Sequence, residues 1–262
     1  MSDWLHSLPL VWMALVVFGT TYLVTGAIFA TVNVLAVGER ARSFKAISPG
    51  LLSPLGIIFG LFVAFTAAQV WGDNERATAA VDREASALRA VVILAASFPG
   101  ETETQLRSLI RSQVQEAATQ EWPMMSQGTA TLTPVPRYLA EALQMTLALN
   151  TNTAGQEMAR REVVTALENA FDARRQRIIV SHSEVNLVKW ASLLVQGFCA
   201  LVAIAMVHND NKLASAIGLA LFATGIAASI FLIAAHDRPF MGQVAVSPEP
   251  LLQVVPEAQA TR

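Results

Sequence analysis

The side chains whose types and spacing most clearly suggest a function lie on one apolar stretch of the sequence, residues 50–71. Ile57, Leu61 and Phe65 recur at steps of four, which places them on one face of a helix. In the simpler interpretation this bulky stripe faces lipid. In a ring of identical subunits it would instead line a narrow apolar constriction, which controls ion passage by wetting and dewetting. Periodicity alone leaves both interpretations open.

A pair of small residues, Gly56 and Gly60, lies beside that stripe with the spacing G-x-x-x-G. Small residues at this spacing let two helices approach closely in lipid. The pair therefore predicts a helix-packing face on a different arc of the helix from the bulky stripe. Close packing alone explains the pair without any transport function.

Charged residues follow the apolar stretch directly and include four carboxylates. A solvated helix face is the ordinary interpretation of such a run. The alternative is a charged vestibule below a pore, in which Asp73 and Arg76 would bias the ions that arrive. The carboxylates are Asp73, Glu75, Asp82 and Glu84.

No catalytic constellation is evident in the sequence. A nucleotide-binding fingerprint, a zinc-protease motif, a Ser-centred glycine turn and paired cysteines are all missing from it. We therefore predict no enzymatic activity, no cofactor and no metal site, and the net charge of -2 argues against a nucleic-acid partner. The four histidines read as polar residues at helix ends and turns, and the single cysteine falls within a span: His6, His182, His208, His236 and Cys199.

The composition indicates an all-α integral membrane protein. The chain is 53% hydrophobic with a mean hydropathy of +0.45, and 15% of its residues are charged, against about 25% in soluble domains. A bilayer core takes roughly 20 apolar residues, and four segments meet that length. They are residues 9–37, 50–71, 189–207 and 213–235.

The order of these segments predicts four regions. Residues 1–71 hold the first two spans, 72–188 an extramembrane helical insert, 189–235 the last two spans, and 236–262 a tail. Spans two and three should continue as long helices into the insert. An even number of spans puts the insert and tail on one side, which the flanking arginines favour as the cytoplasm. The first ten residues carry no Lys or Arg, so we expect span one to be retained rather than cleaved.

Helical periodicity persists through the insert. Two apolar stripes recur at helical steps: Val81, Ala85, Leu88, Val92 and Ala95 form the first, and Leu106, Leu109, Ile110 and Val114 form the second. Pro99-Gly100 should end the first insert helix and Trp122-Pro123 the second. The last insert helix should run without a break from about residue 162 into span three.

Two stretches resemble a known family. Residues 61–65, followed by Trp71 and charged residues, resemble the second transmembrane helix of bestrophin channels. Residues 237–242 and 246–251 are similar to the C-terminal signature of a bacterial bestrophin-like family of unknown function. The tail motif consists of Asp237, Arg238, Pro239 and Phe240.

This resemblance implies a homo-oligomeric ion channel in the bacterial inner membrane, crossing it several times. Its partners would be the lipid bilayer, inorganic ions and identical subunits, since the bestrophins that it resembles are pentamers. Ile57, Leu61 and Phe65 would form the neck of a central pore. Glu249 is the only acidic residue among residues 241–251, which directly follow the tail motif, so the calcium site of some bestrophins is not expected. The competing hypothesis is a membrane-anchored signalling or scaffold protein whose insert binds a partner.

Overall fold

The structure, a computed structural model, describes residues 3–6, 8–45 and 49–254. The described residues form helices joined by turns and loops, with no β-strand among them. The longer helices are α1 (Leu10–Leu35), α2 (Leu52–Leu94), α3 (Glu101–Glu116), α4 (Arg137–Leu147), α5 (Ala154–Ser181), α6 (Leu187–Val207) and α7 (Lys212–His236).

Shorter helical segments occupy several of the connections. They are Asp3–His6, Glu39–Lys45, Trp122–Ser126 and Glu249–Leu252, with 3-10 turns at Pro49–Leu51 and Ala95–Ser97 and a π turn at Ala117–Glu121.

Four helices, α1, α2, α6 and α7, are long and apolar enough to cross a membrane. This confirms the predicted all-α membrane protein with four spanning helices. Helices suit this role because each backbone N–H and C=O is satisfied within its own segment, away from water. The chain divides into two compact units.

The first unit contains the described residues of Met1–Gly72, Glu184–Arg238 and Gly242–Val244. In it, α7 packs against both α1 and α6. The Ile226 side chain of α7 packs closely against Gly197 of α6, since a Cβ added to Gly197 would lie 3.3 Å from the Ile226 Cδ1 atom. Leu219, Ala223 and Ile233 are buried at the centre of this packing.

Asparagine side chains begin two of the spanning helices. The Oδ1 atom of Asn211 accepts the Ala214 N–H at 3.0 Å, and that of Asn186 accepts the Lys189 N–H at 2.9 Å. Each asparagine satisfies a backbone donor that has no partner within its helix. The tight turn expected between the last two spans therefore ends at Asn211.

Helix α2 runs for 43 residues without interruption, through Trp71 and Gly72 into the charged stretch. This agrees with the prediction for span two. The same prediction for span three is wrong, because α5 ends at Ser181 and α6 begins at Leu187. The Asn186 cap starts a new helix, and the preceding Val185 N–H is bonded to the side chain of Asp237 at 2.6 Å rather than to a helix carbonyl.

The second unit contains the described residues of Asp73–Ser183, Pro239–Met241 and Ala245–Arg262. The distal part of α2 and helices α3, α4 and α5 surround its core. The predicted stripes supply this core as expected. Residues at 0% exposure include Val81, Leu88, Leu106, Ile110, Val114, Leu139 and Leu167.

Two features determine where helices of the second unit begin and end. Gly100 has φ +96°, a left-handed conformation that glycine adopts without steric cost, and α3 starts immediately after it. The expectation that Trp122-Pro123 closes a helix is wrong, because α3 passes through the π turn into Trp122–Ser126. Pro123 lies in the first turn of that short helix, where its missing N–H is not needed.

Replacing Leu88 with alanine tests the core assignment. Leu88 is 0% exposed, whereas Ile93 on the same helix is 65% exposed. We expect Leu88→Ala to cost about 2–5 kcal/mol through lost burial and a residual cavity, and Ile93→Ala about 0.5 kcal/mol or less. Melting temperatures of the purified variants measure the difference, and equal losses would remove Leu88 from the core.

Candidate functional site

The bulky stripe on α2 is exposed in the single chain. Ile57, Leu61 and Phe65 are 65%, 56% and 68% exposed. Phe59 lies on another face of the same helix and is buried, with its ring centroid 6.0 Å from that of Phe222. Helix α2 therefore has one face inside the first unit and a bulky apolar face that none of the described residues covers.

The glycine pair is open as well. A Cβ added to Gly56 or Gly60 would meet no atom within 4 Å among the described residues. Within the described part of the chain the pair therefore meets no packing partner, and a helix of a second copy is the neighbour that the packing interpretation would need. An exposed apolar stripe next to a small-residue pair suits either lipid or a second copy of the helix.

The carboxylates after Trp71 separate into two classes. Glu75 and Asp82 are exposed, as a solvated helix face predicts. Asp73 and Glu84 are buried at 4% and 0% exposure, so that interpretation is wrong for them. The Asp73 carboxylate pairs with the guanidinium of Arg76, whose side chain is 67% exposed. Of the two proposed vestibule residues, Arg76 thus presents its charge to solvent.

Glu84 belongs to a buried ionic cluster that the sequence analysis missed. Its carboxylate accepts two hydrogen bonds from Arg177, at 2.6 Å from Nε and 3.1 Å from Nη2. Arg177 is itself 0% exposed and also donates to Glu121 at 2.7 Å. Arg174 donates to the other Glu121 oxygen at 2.7 Å. Two carboxylates thus face two guanidinium groups.

Local structure explains how these groups meet. Glu84 lies on the same face of α2 as Val81 and Leu88, and it points into the core with them. The π turn at Ala117–Glu121 places Glu121 near α5, which carries both arginines. The spacing of Glu84 from Val81 and Leu88, by three and four residues, was the one signal in the sequence for its burial.

Apolar and aromatic groups enclose the central arginine. The Arg177 Cζ atom lies 5.0 Å from the centroid of the Trp122 ring, and the Arg177 Nη1 atom lies 3.4 Å from the Met125 sulfur. A guanidinium over an indole face gains a cation–π attraction. Because the surroundings exclude water, the charges depend on one another for stabilisation.

These charges shift the protonation equilibria. Burial works against ionisation of Glu121, but the guanidinium groups of Arg177 and Arg174 outweigh it and lower the pKa of that carboxyl. Burial likewise disfavours the charged form of Arg177, and its attraction to Glu84 and Glu121 outweighs this and raises the arginine pKa. At Glu84, burial outweighs the attraction to Arg177 and raises the pKa of that carboxyl, so the arginines favour the charged form most clearly at Glu121. The cluster satisfies its own hydrogen bonds.

The tail motif makes specific contacts within each unit. In the first unit, Asp237 accepts the Val185 N–H, and Arg238 pairs with Glu184 at 2.6 Å. In the second, Phe240 is 3% exposed and its ring meets that of Trp122 edge-on, with centroids 5.5 Å apart. Pro239 follows the end of α7 at His236.

The four histidines each contact a backbone or carboxylate oxygen. Within the part of the chain that the structure describes, no three His, Cys, Asp or Glu side chains are grouped to hold a metal ion. His182 contacts the Ala130 carbonyl at 2.7 Å, and His208 contacts that of Ile204 at 3.1 Å. His6 differs from these, since it is buried beside Asp237.

Comparison with known proteins identifies the family. The Bestrophin-like domain matches residues 9–251, so the chain belongs to the bestrophin-like family. Its fold is similar to that of a mutant bacterial bestrophin homolog from Klebsiella pneumoniae, with a TM-score of 0.65 and 13% sequence identity, over 91% of this chain and 97% of that one. A search of curated proteins finds no match.

The ionic cluster generates a prediction for Glu121→Gln. We expect a loss of about 3–5 kcal/mol at neutral pH, because the variant leaves buried arginine charge with one carboxylate fewer. The native carboxyl has a lowered pKa, so its stabilising contribution is present above the ordinary value of 4.5 and disappears as the pH falls below it. The difference in melting temperature between parent and variant should therefore shrink in acid.

Glu103→Gln is the matched control for this change. Glu103 pairs with Arg107 at 2.9 Å, but the two side chains are 30% and 42% exposed. An exposed pair of this kind contributes about 0–1 kcal/mol. Equal, pH-independent effects of the two substitutions would contradict the role assigned to the buried cluster.

Proposed function

We propose that the protein is a homo-oligomeric ion channel, without enzymatic activity, whose central pore is lined by the apolar part of α2. Membership of the bestrophin-like family supports the channel class. The observation that carries the pore assignment is the exposure of Ile57, Leu61 and Phe65 on a helix whose opposite face is buried. In a closed ring of five subunits, these side chains would face the axis.

The neck would work through its width and its wetting. Apolar side chains offer an ion no replacement for its hydration shell, so a narrow ring of them blocks ions when it is dry and passes them when it is wide enough to hold water. Gly56 and Gly60 lie at an open position beside the stripe, where the adjacent subunit's helix could approach closely. Packing at the glycines would then set the width at the stripe.

Charge near the neck would bias which ions arrive. Arg76 follows the stripe along the same continuous helix and exposes its side chain. Asp73 would act mainly by holding Arg76, because its own carboxylate is buried. An exposed charge beside a pore raises the local concentration of its counterions, an effect that salt screens.

We place the protein in the bacterial inner membrane, with α1, the proximal part of α2, α6 and α7 crossing the bilayer. The length and apolar composition of these four helices support their crossing a bilayer. The remaining helices, including α3, α4 and α5, would form an extramembrane region in the cytoplasm. The arginines that flank the spans favour that side.

The pore assignment is tested by the double substitution Leu61→Ala, Phe65→Ala in purified protein reconstituted into liposomes. Removing bulk from the neck should raise ion flux severalfold, because a wider apolar ring stays wet. Ile217→Ala with Leu221→Ala is the matched control, since both side chains are exposed and apolar but lie on α7. Arg76→Glu should move the reversal potential toward cation preference without altering the neck.

Two results would overturn this proposal. The first is the absence of anion and cation flux in both the parent and the widened variant. The second is an equal rise in flux from the α7 control. Subunit counting on the solubilised particle gives an independent check, since a monomer has no ring and hence no central pore.

The membrane arrangement is tested by labelling single cysteines with an impermeant thiol reagent in intact cells, in a Cys199→Ser background. Ser43 and Thr129 are both exposed and suit replacement by cysteine. We expect Ser43→Cys to label from outside and Thr129→Cys only after the cells are opened. Both sites labelling from one side would contradict the span count, and the reverse pattern would contradict the orientation.

A further inference from the structure

A groove between α1, α6 and α7 of the first unit contains none of the proposed pore residues. Its volume is about 270 Å³. Buried side chains form the floor of the groove and exposed ones form its rim. The floor includes Val17, Leu201, Ile226 and Ile230, and the rim consists of Thr20, Val24, Leu194 and Phe198.

The lining of the groove is unsuited to a polar ligand. Among the described residues that line it, only Thr20 and Thr21 are polar. The Thr20 hydroxyl donates to the Val16 carbonyl at 2.7 Å, and the Thr21 hydroxyl donates to the Val17 carbonyl at 2.8 Å. Both donors are thereby used within α1. Ordered water needs polar partners, and apolar cavities take up apolar molecules instead. The lining therefore favours a hydrocarbon occupant.

The dimensions of the groove suit a single hydrocarbon chain. Along α1 its lining extends from Val16 to Val24, which is about 12 Å in a helix. One leaflet supplies about 15 Å of hydrocarbon depth, half of the bilayer core. A cavity of about 150 Å³ already binds benzene, so this groove has room for a longer chain. A helix with its side chains, about 10 Å across, is too wide to enter it.

The groove opens onto a surface that lipid would cover. α1, α6 and α7 are among the four helices that are long and apolar enough to cross a membrane. Val24 and Leu194 of the rim are followed or preceded along their helices by Leu23 and Val195, which are exposed and apolar as well. Acyl chains surround such helices in a bilayer. A chain could therefore enter the groove without leaving hydrocarbon.

We propose that this groove is a binding site for one acyl chain of a membrane phospholipid. The chain lies along α1, covers the buried floor and completes the packing of α1 against α6. Van der Waals contact holds it there, as it holds spanning helices together in lipid. The site rests on the spanning helices alone and not on the proposed pore.

Photo-crosslinking tests the site in full-length protein that has been solubilised and delipidated in detergent. The probe is phosphatidylcholine with a diazirine in one acyl chain, titrated from below to well above one lipid per subunit. Peptide mass spectrometry then locates the attached lipid. We expect labelling of residues 16–24 and 194–201 to saturate at one lipid per subunit. Labelling of residues 213–221, an exposed apolar stretch of α7 outside the groove, should keep rising with added lipid.

Substitutions at the rim separate the groove from the general lipid-facing surface. Thr20→Phe places a ring over the floor and should lower the saturable labelling of residues 194–201 severalfold. Leu194→Phe fills the groove from the opposite rim and should lower the labelling of residues 16–24, so the test does not depend on one variant folding. Leu23→Phe is the matched control, because it adds a ring at an exposed position of α1 outside the groove. It should label like the parent.

Three results would overturn the proposal. The first is labelling of the groove segments that rises in proportion to added lipid, as at residues 213–221. The second is saturable labelling that both rim variants retain. The third is absence of labelling in the groove segments at every lipid level, which is expected if side chains of a second copy fill the groove. Ion conduction is not measured, so failure of the channel proposal would leave this result unaffected.

Discussion

The organisation of the second unit depends on a guanidinium group that has no access to water. Arg177 at 0% exposure is tolerable only because Glu84 and Glu121 approach it closely, at 2.6 and 2.7 Å. Taking one charge out of water costs several kcal/mol unless its partners and hydrogen bonds are in place. The register of α2 and α5 and the position of the π turn are therefore coupled, since moving any one of them would leave a charge unpaired.

The spanning helices achieve a defined arrangement by different means. α1 contains no Asp, Glu, Lys or Arg, and α7 contains only Lys212 at its first position. Helices surrounded by lipid gain little from burying apolar surface, so close shape fitting has to define their packing. The contact of Gly197 with Ile226 is such a fit, at 3.3 Å for an added Cβ. Charge pairing thus fixes the helix arrangement in the second unit, and close packing at a small residue fixes it in the first.

Much of this fold follows from short-range patterns. The four spans, the uninterrupted α2 and the helix start after Gly100 are each dictated by apolar length or by glycine conformation. The break between α5 and α6 was not predictable in the same way, because it depends on the Val185 N–H finding Asp237, 52 residues further along the chain. An interaction over that distance leaves no periodic signal near the break.

The candidate site, like the fold, was predictable from the sequence only in part. The exposed stripe of Ile57, Leu61 and Phe65 was visible as a four-residue repeat, but periodicity could not show which face of α2 the chain covers. The carboxylates at 73 and 84 resembled solvated charges by composition, and only their partners, Arg76 and Arg177, reveal why they are buried. A charged residue on an apolar stripe is consequently more informative than one on a polar face, because it demands a partner that the fold must supply.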